Sequence, residues 1–124
     1  MAAARANVLD VLTPDAYAHL DALNDRIVSG CQKVIDDFRL PGYAIGVGAK
    51  GCVTFATSKI VDYETFKSQQ DVEVTELAWA YNMNRGIFMT PGREEEWTLS
   101  VTHTAEAVDH FVAVFRELAG ELTA

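Results

Sequence analysis

A chain of 124 residues has room for one domain and not two, and at this size roughly two-thirds of the unfolded surface is buried, so a core forms without staples. The residues are 49% hydrophobic and 23% charged, the make-up of a soluble globule and not of a disordered chain. The net charge is −8, and the ten basic residues are scattered from Arg5 to Arg116 without a basic face, which excludes a nucleic-acid partner.

In chain order, the alanine-rich MAAARANVLDVL reads as a helix. It lacks an apolar core bounded by a cleavage site, so it is not a signal peptide, and no apolar run approaches membrane-spanning length. No membrane association and a cytoplasmic location are therefore expected. Thr13-Pro14 is a helix start, with Thr13 as N-cap and Pro14 at the first helical position. The helix it opens runs to about Arg39 on a stripe of Tyr17, Leu20, Leu23, Ile27, Cys31, Val34, Ile35 and Phe38. Two β-rich runs follow around Ala49-Lys50-Gly51, forming a hairpin or a strand with a bend. Gly46 and Gly48 mark either a bulge or a close approach to the backbone.

The stretch 63–86 reads as mostly helical, with Val74, Leu77, Ala78 and Tyr81 on one face and Gly86 as its C-terminal cap. IFMT is a short strand, Pro91-Gly92 a turn, and WTLSVTH a strand with Trp97, Leu99 and Val101 on one face. Thr104 caps a last helix with Glu106 in its first turn. Its stripe is Val108, Phe111, Val112, Phe115, Leu118, Ala119 and Leu122. Helices on one face of a small antiparallel sheet make an α+β two-layer sandwich.

Residue chemistry alone names no enzyme. GVGAKG imitates a phosphate-binding glycine loop, but β-rich residues flank it on both sides instead of a strand and a helix. Glu94, Glu95, Glu96 and His103 suggest a metal or acid/base cluster. Alternate strand residues point to opposite faces, however, so at most two of the four converge, and no metal site is expected. Cys31 and Cys52 sit in apolar patterns without C-x-x-C spacing and read as buried free thiols. His103 reads as the end of a strand.

Three stretches taken together, MAAARANVLDVLTPDAYAHLDALNDRI, LPGYAIGVGAKGCVTF and NRGIFMTPGREEEWTLSVTHTAEAVDHFV, resemble the C-terminal small domain of class III pyridoxal-phosphate (PLP) aminotransferases. The similarity is to their glutamate-1-semialdehyde aminomutase-like members. It rests on Leu12-Thr13-Pro14-Asp15, Gly86, Pro91, Glu95 and Trp97, and His103-Thr104 in this order, and covers nearly the whole chain.

The resemblance implies the small domain of a fold-type I PLP enzyme, with residues 1–12 as an interdomain-type helix and 13–124 as the C-terminal domain. It implies PLP in the full-length enzyme and a large PLP-binding domain as partner. None of Lys33, Lys50, Lys59 or Lys67 falls in the family's Schiff-base motif. No bound cofactor and no catalytic residue are therefore expected on this chain alone. Glu95, Arg93 and Thr90 are the implied substrate-facing residues, with solvent exposure the competing reading for Glu95. Glu95-Glu96 stands where many class members carry a carboxylate-binding arginine, which favours an aminomutase-like or unusual amine substrate over 2-oxoglutarate recognition. Val8, Leu9 and Leu12, uncovered, imply self-association as a dimer. A freestanding α+β binding or dimerisation module is the alternative.

Overall fold

The structure, a computed structural model, describes residues 1–90 and 96–124; Arg93, Glu94 and Glu95 fall outside them. Helix α1 (Ala2–Ala6) continues into a π-helical turn, Asn7–Val11. Thr13 then caps α2 (Pro14–Phe38), its Oγ1 accepting from the Ala16 N–H at 3.2 Å. At the far end Arg39 takes a left-handed conformation, and the Leu40 N–H closes on the Ile35 carbonyl at 3.0 Å.

Strands β1 (Tyr43–Val47) and β2 (Lys50–Thr54) pair antiparallel with Tyr43 opposite Thr54. The turn is Gly48-Ala49, so Lys50 and Gly51 belong to β2 and the hairpin reading holds over the bent strand. Gly46 marks a close approach: a Cβ there would stand 2.6 Å from Asn24 Nδ2 and 2.7 Å from Val28 Cγ2, both on α2. That contact places α2 on one face of the sheet. Ile45 and Val47 alternate to the other face, where Val47 is 81% exposed.

The expected single helical stretch after the hairpin is two helices, α3 (Tyr63–Gln69) and α4 (Val72–Asn84). Asp62 and Asp71 cap them, accepting from the N–H groups of Thr65 (2.8 Å) and Val74 (3.1 Å). The break is held by an Ala56–Gln70 bridge and by the Asp71 N–H on the Phe55 carbonyl at 2.8 Å. Helix α4 buries Thr75, Ala78, Tyr81 and Asn82 and leaves Leu77 exposed, so its inner face is turned from the predicted one. Tyr17 is likewise exposed on α2.

Residues 87–90 form no strand. Gly86 turns the chain with φ +79°, the Ile87 N–H returns to the Asn82 carbonyl at 3.0 Å, and the Met89 carbonyl is taken by a side chain instead of a neighbouring strand. Strand β3 is only Trp97–Thr98, paired with Gly51 and Lys50 of β2. The Leu99 N–H still reaches the Ala49 carbonyl at 2.8 Å, but the His103 N–H closes a turn on the Ser100 carbonyl and ends the ladder early. Burial nevertheless alternates as expected, with Trp97 and Leu99 buried, Val101 half-buried, and Thr98, Ser100 and Thr102 exposed.

Helix α5 (Ala105–Leu122) starts at Thr104, whose Oγ1 accepts from the Ala107 N–H at 3.3 Å. Glu106 lies in its first turn with its carboxyl held below the usual range, chiefly by its own backbone N–H and then by Thr104. The predicted stripe is buried at Val108, Phe111, Phe115, Leu118 and Ala119, with Val114 buried beside it. Helices α2 and α5 pack on each other and make the core together with Phe55 and Trp97. Phe55 meets Phe115, and Trp97 meets Phe111, edge-on at centroid distances of 6.3 and 5.7 Å. Among the described residues this is the expected α+β arrangement of five α-helices and a three-stranded antiparallel sheet, with α2 packed on the sheet and α5 on α2.

Candidate functional site

A cavity of about 450 Å³ opens between three parts of the chain: residues 86–90, residues 96–99 and the first half of α5. Its wall is mostly apolar, with Ile27, Met89, Trp97, Leu99, Val108 and Phe111. Its polar side chains are Thr90, Glu96, Thr98, His103 and His110. Thr90 and Phe88 are exposed at this site, Phe88 by 85%. Thr90 and Glu96 are also the two residues that border the undescribed stretch. Of the three predicted substrate-facing residues, the structure therefore locates Thr90 at the cavity. Arg93 and Glu95 belong to the five residues between its two rim positions.

The Glu96 carboxylate is 3.2 Å from Lys50 Nζ. Both side chains are about half exposed, so this pair contributes at most about 1 kcal/mol and serves to orient Glu96. His103 sits in a turn and not at a strand end. Its Nδ1 accepts from the Ser100 backbone N–H at 2.9 Å, which leaves the proton of the neutral ring on Nε2. His110 has the same tautomer for another reason: its Nε2 faces the Arg85 carbonyl at 3.1 Å, and a carbonyl only accepts. The His103 carbonyl in turn receives His19 Nε2 at 3.1 Å, tying α2 to the start of α5.

Both ends of the segment around the cavity are held by indole N–H groups. Trp79 Nε1 donates to the Met89 carbonyl at 3.1 Å, and Trp97 Nε1 donates to Asn24 Oδ1 at 2.8 Å. Asn24 is 4% exposed and completes its amide by donating Nδ2 to the Lys50 carbonyl at 3.2 Å. The Trp97 ring rests on Gly51, where an added Cβ would overlap it. These glycines thus form a bed for Asn24 and Trp97, which is why the sequence imitates a phosphate loop without being one.

Chemically the described residues of the site can bind and orient, and neither cysteine lines it. Cys31 is fully buried, and burial pushes its thiol up to about 12; Cys52 is half-buried and raised for the same reason. Both are free thiols. Among the described residues no three His, Cys, Asp or Glu side chains converge to hold a metal, and no helix is long and apolar enough to cross a membrane. Sequence reasoning missed Asn24, Lys50, Trp79, Phe88 and His110. The available signals were a polar Asn between Leu23 and Ile27 on an apolar stripe, and two tryptophans bracketing the Pro-Gly loop.

No protein-family model matches the chain. A glutamate-1-semialdehyde 2,1-aminomutase of Desulfosudis oleivorans is 29% identical over 95% of this chain and 28% of its own length. One of Lachnoclostridium phytofermentans is 24% identical over 84% of this chain and 24% of its own. Among solved structures, a glutamate-1-semialdehyde aminomutase of Pseudomonas aeruginosa, seen in complex with PMP, superposes with a TM-score of 0.90 at 26% identity. It covers 98% of this chain and 26% of the enzyme. A β-phenylalanine aminotransferase of Variovorax paradoxus, 18% identical with a TM-score of 0.75 over 94% of this chain and 26% of that one, shares the fold.

The fold matches the small α+β domain of fold-type I PLP enzymes. The chain's homologues are glutamate-1-semialdehyde 2,1-aminomutases, and its structural neighbours are such aminomutases and class III transaminases. The chain spans about a quarter of the length of the curated relatives it matches. All four lysines are exposed and none lines the cavity.

Proposed function

We propose that this chain is the substrate-side C-terminal domain of a PLP-dependent aminomutase or aminotransferase. Residues 13–124 form that domain and residues 1–12 the helix leading into it. The observation that carries the reading is the superposition on the aminomutase across 98% of this chain and only 26% of that enzyme. The remaining part of such an enzyme is the partner, and it brings the Schiff-base lysine and the cofactor. Val8 and Leu9, exposed as expected, are the face that it covers, with exposed Val11 in place of Leu12, which is half-buried; without it they drive self-association. Alone, the chain does not turn over substrate.

Within the assembled enzyme, Thr90, Arg93 and Glu95 face the substrate, and the mostly apolar cavity supplies the wall against which it rests. An acidic residue at position 95 pairs with a cationic group near the substrate and disfavours a second carboxylate, so aminomutase-like or amine substrates are selected over 2-oxoglutarate.

The test joins this chain to the remaining three-quarters of a matched aminomutase and compares Glu95→Ala and Arg93→Ala with the unmutated graft. Loss of one charge-assisted contact lowers kcat/KM by roughly 10- to 100-fold for the preferred substrate. Unchanged turnover and unchanged substrate preference in Glu95→Ala would remove Glu95 from the site.

A further inference from the structure

Among the described residues the sheet runs in the order β1-β2-β3, so one side of β1 has no neighbouring strand. An open strand edge is a template for pairing with another chain, and folded domains keep such edges closed. The hairpin register says which groups lie on this edge. Val47 and Lys50 flank the two-residue turn and face each other. Tyr43, Ile45 and Val47 therefore direct their backbone groups to β2, while Ala44 and Gly46 direct theirs outward. The outward N–H of Ala44 is already taken: Gln32 Oε1, on α2, accepts it at 3.0 Å. The other end of the same amide is fixed as well, its Nε2 donating to Asp36 Oδ1 one turn on at 2.9 Å. Gln32 can reach the edge because α2 lies down on the strand at Gly46, where even a Cβ would meet Asn24 and Val28. A side-chain oxygen thus stands where the carbonyl of an incoming strand would bind.

What it keeps out follows from the strand itself. β1 reads YAIGV and carries no charged side chain to repel a partner. On the face away from α2, Ile45 and Val47 are 46% and 81% exposed. Two such edges can pair antiparallel about a two-fold axis with Ala44 of one copy opposite Gly46 of the other. Ile45 then meets Ile45, and Tyr43 meets Val47, all on one face, so the edge is complementary to itself. We propose that the β1 edge is a latent strand-addition site for a second copy of this chain, and that Gln32 is the contact that holds it shut. Gln32 is tethered beside Ala44 at every protein concentration, whereas a second copy must be recruited, so the edge opens only when the side chain is lost. The inference is independent of the function proposed above.

The experiment uses the 124-residue chain with Val8→Asp and Leu9→Asp as background, so that the exposed N-terminal face does not contribute. In that background Gln32→Ala removes the acceptor and leaves a strong helix former in α2. Gln32→Glu keeps a side-chain oxygen for Ala44, and Gln32→Ala/Ile45→Lys adds a charge to the edge strand. In dilute solution the Ala44 amide exchanges about five- to tenfold faster in Gln32→Ala and close to the background rate in Gln32→Glu. At rising concentration, sedimentation equilibrium shows a dimer in Gln32→Ala, with the Ala44 amide protected again. The background, Gln32→Glu and the lysine double variant stay monomeric. Gln32→Leu, which lacks the same acceptor, gives the same result should Gln32→Ala not fold. Unchanged Ala44 exchange on loss of the acceptor overturns the inference. So does faster exchange without a dimer, or a dimer that survives Ile45→Lys.

Discussion

Replacing Gly51 by alanine sets two effects of opposite sign against each other. In a strand interior, alanine is favoured over glycine by about 0.5–1 kcal/mol because less backbone freedom is lost on folding. At this position, however, a Cβ would overlap the Trp97 ring and stand 2.6 Å from the Ile45 carbonyl oxygen. The ring is 6% exposed and wedged edge-on against Phe111, so it has little room to retreat. Overpacking of this kind costs about 1–3 kcal/mol. If the ring tilts to escape, the 2.8 Å bond to Asn24 is lost, and each buried group left unpaired costs about 1–3 kcal/mol more. The steric side wins, with a net loss of about 2–4 kcal/mol. At about 4 °C per kcal/mol for a chain of this length, Tm falls by about 8–15 °C. Thermal unfolding followed by tryptophan emission reads both the stability and the Trp97 environment. Gly48→Ala is the control: nothing lies within 4 Å, yet φ is +56°, so it costs about 1 kcal/mol without changing the emission. A Tm for Gly51→Ala at or above that of the wild type would refute the reasoning.

Thr13→Ala removes the oxygen that caps α2 and lowers stability by about 1 kcal/mol in urea unfolding, with an unchanged m-value. Burial raises the Cys31 thiol to about 12 from 9.0, so the native state disfavours its thiolate. The stability this contributes is fully present below pH 9 and declines as the pH rises toward 12. Cys31→Ala accordingly flattens the alkaline limb of the stability profile. At pH 8 Cys31 resists alkylation in the native chain and reacts once it is unfolded, as mass spectrometry would show. Replacing Val8 and Leu9 by aspartate in the 124-residue chain removes exposed apolar surface, and sedimentation shifts toward monomer.

The long helices were legible because their patterns are local. Thr13-Pro14 and Thr104 cap α2 and α5 as their residue types require, and the three- and four-residue spacing locates nearly all of both buried faces. The sequence missed what depends on distant partners. The break between α3 and α4 is set by Phe55 and Ala56, which no window around Gln70 contains. Residues 87–90 have strand composition, but Trp79 takes the Met89 carbonyl that a strand neighbour would need. WTLSVTH alternates like a strand of seven, and its burial follows suit, yet His103 and Ser100 close a turn that cuts the pairing to two residues.

Of the three expected substrate-facing residues, Thr90 lies at the cavity, while Arg93 and Glu95 fall outside the described residues; the contacts around the cavity were not legible. Asn24 lies far from Trp97 in sequence and looks like an interruption of the α2 stripe. Its role emerges only when Gly46 and Gly51 bring the sheet onto it. His103 and His110 line one cavity because a turn of α5 brings His110 beside residues 86–90.

The most direct test of the central claim is amine-dependent turnover of this chain with and without a PLP-binding large domain. The 124-residue chain incubated with PLP should show none, and the same chain grafted onto the remainder of a matched aminomutase should restore it. A folded graft that binds PLP but moves no amino group from any amine would contradict the account, as would turnover by the chain alone.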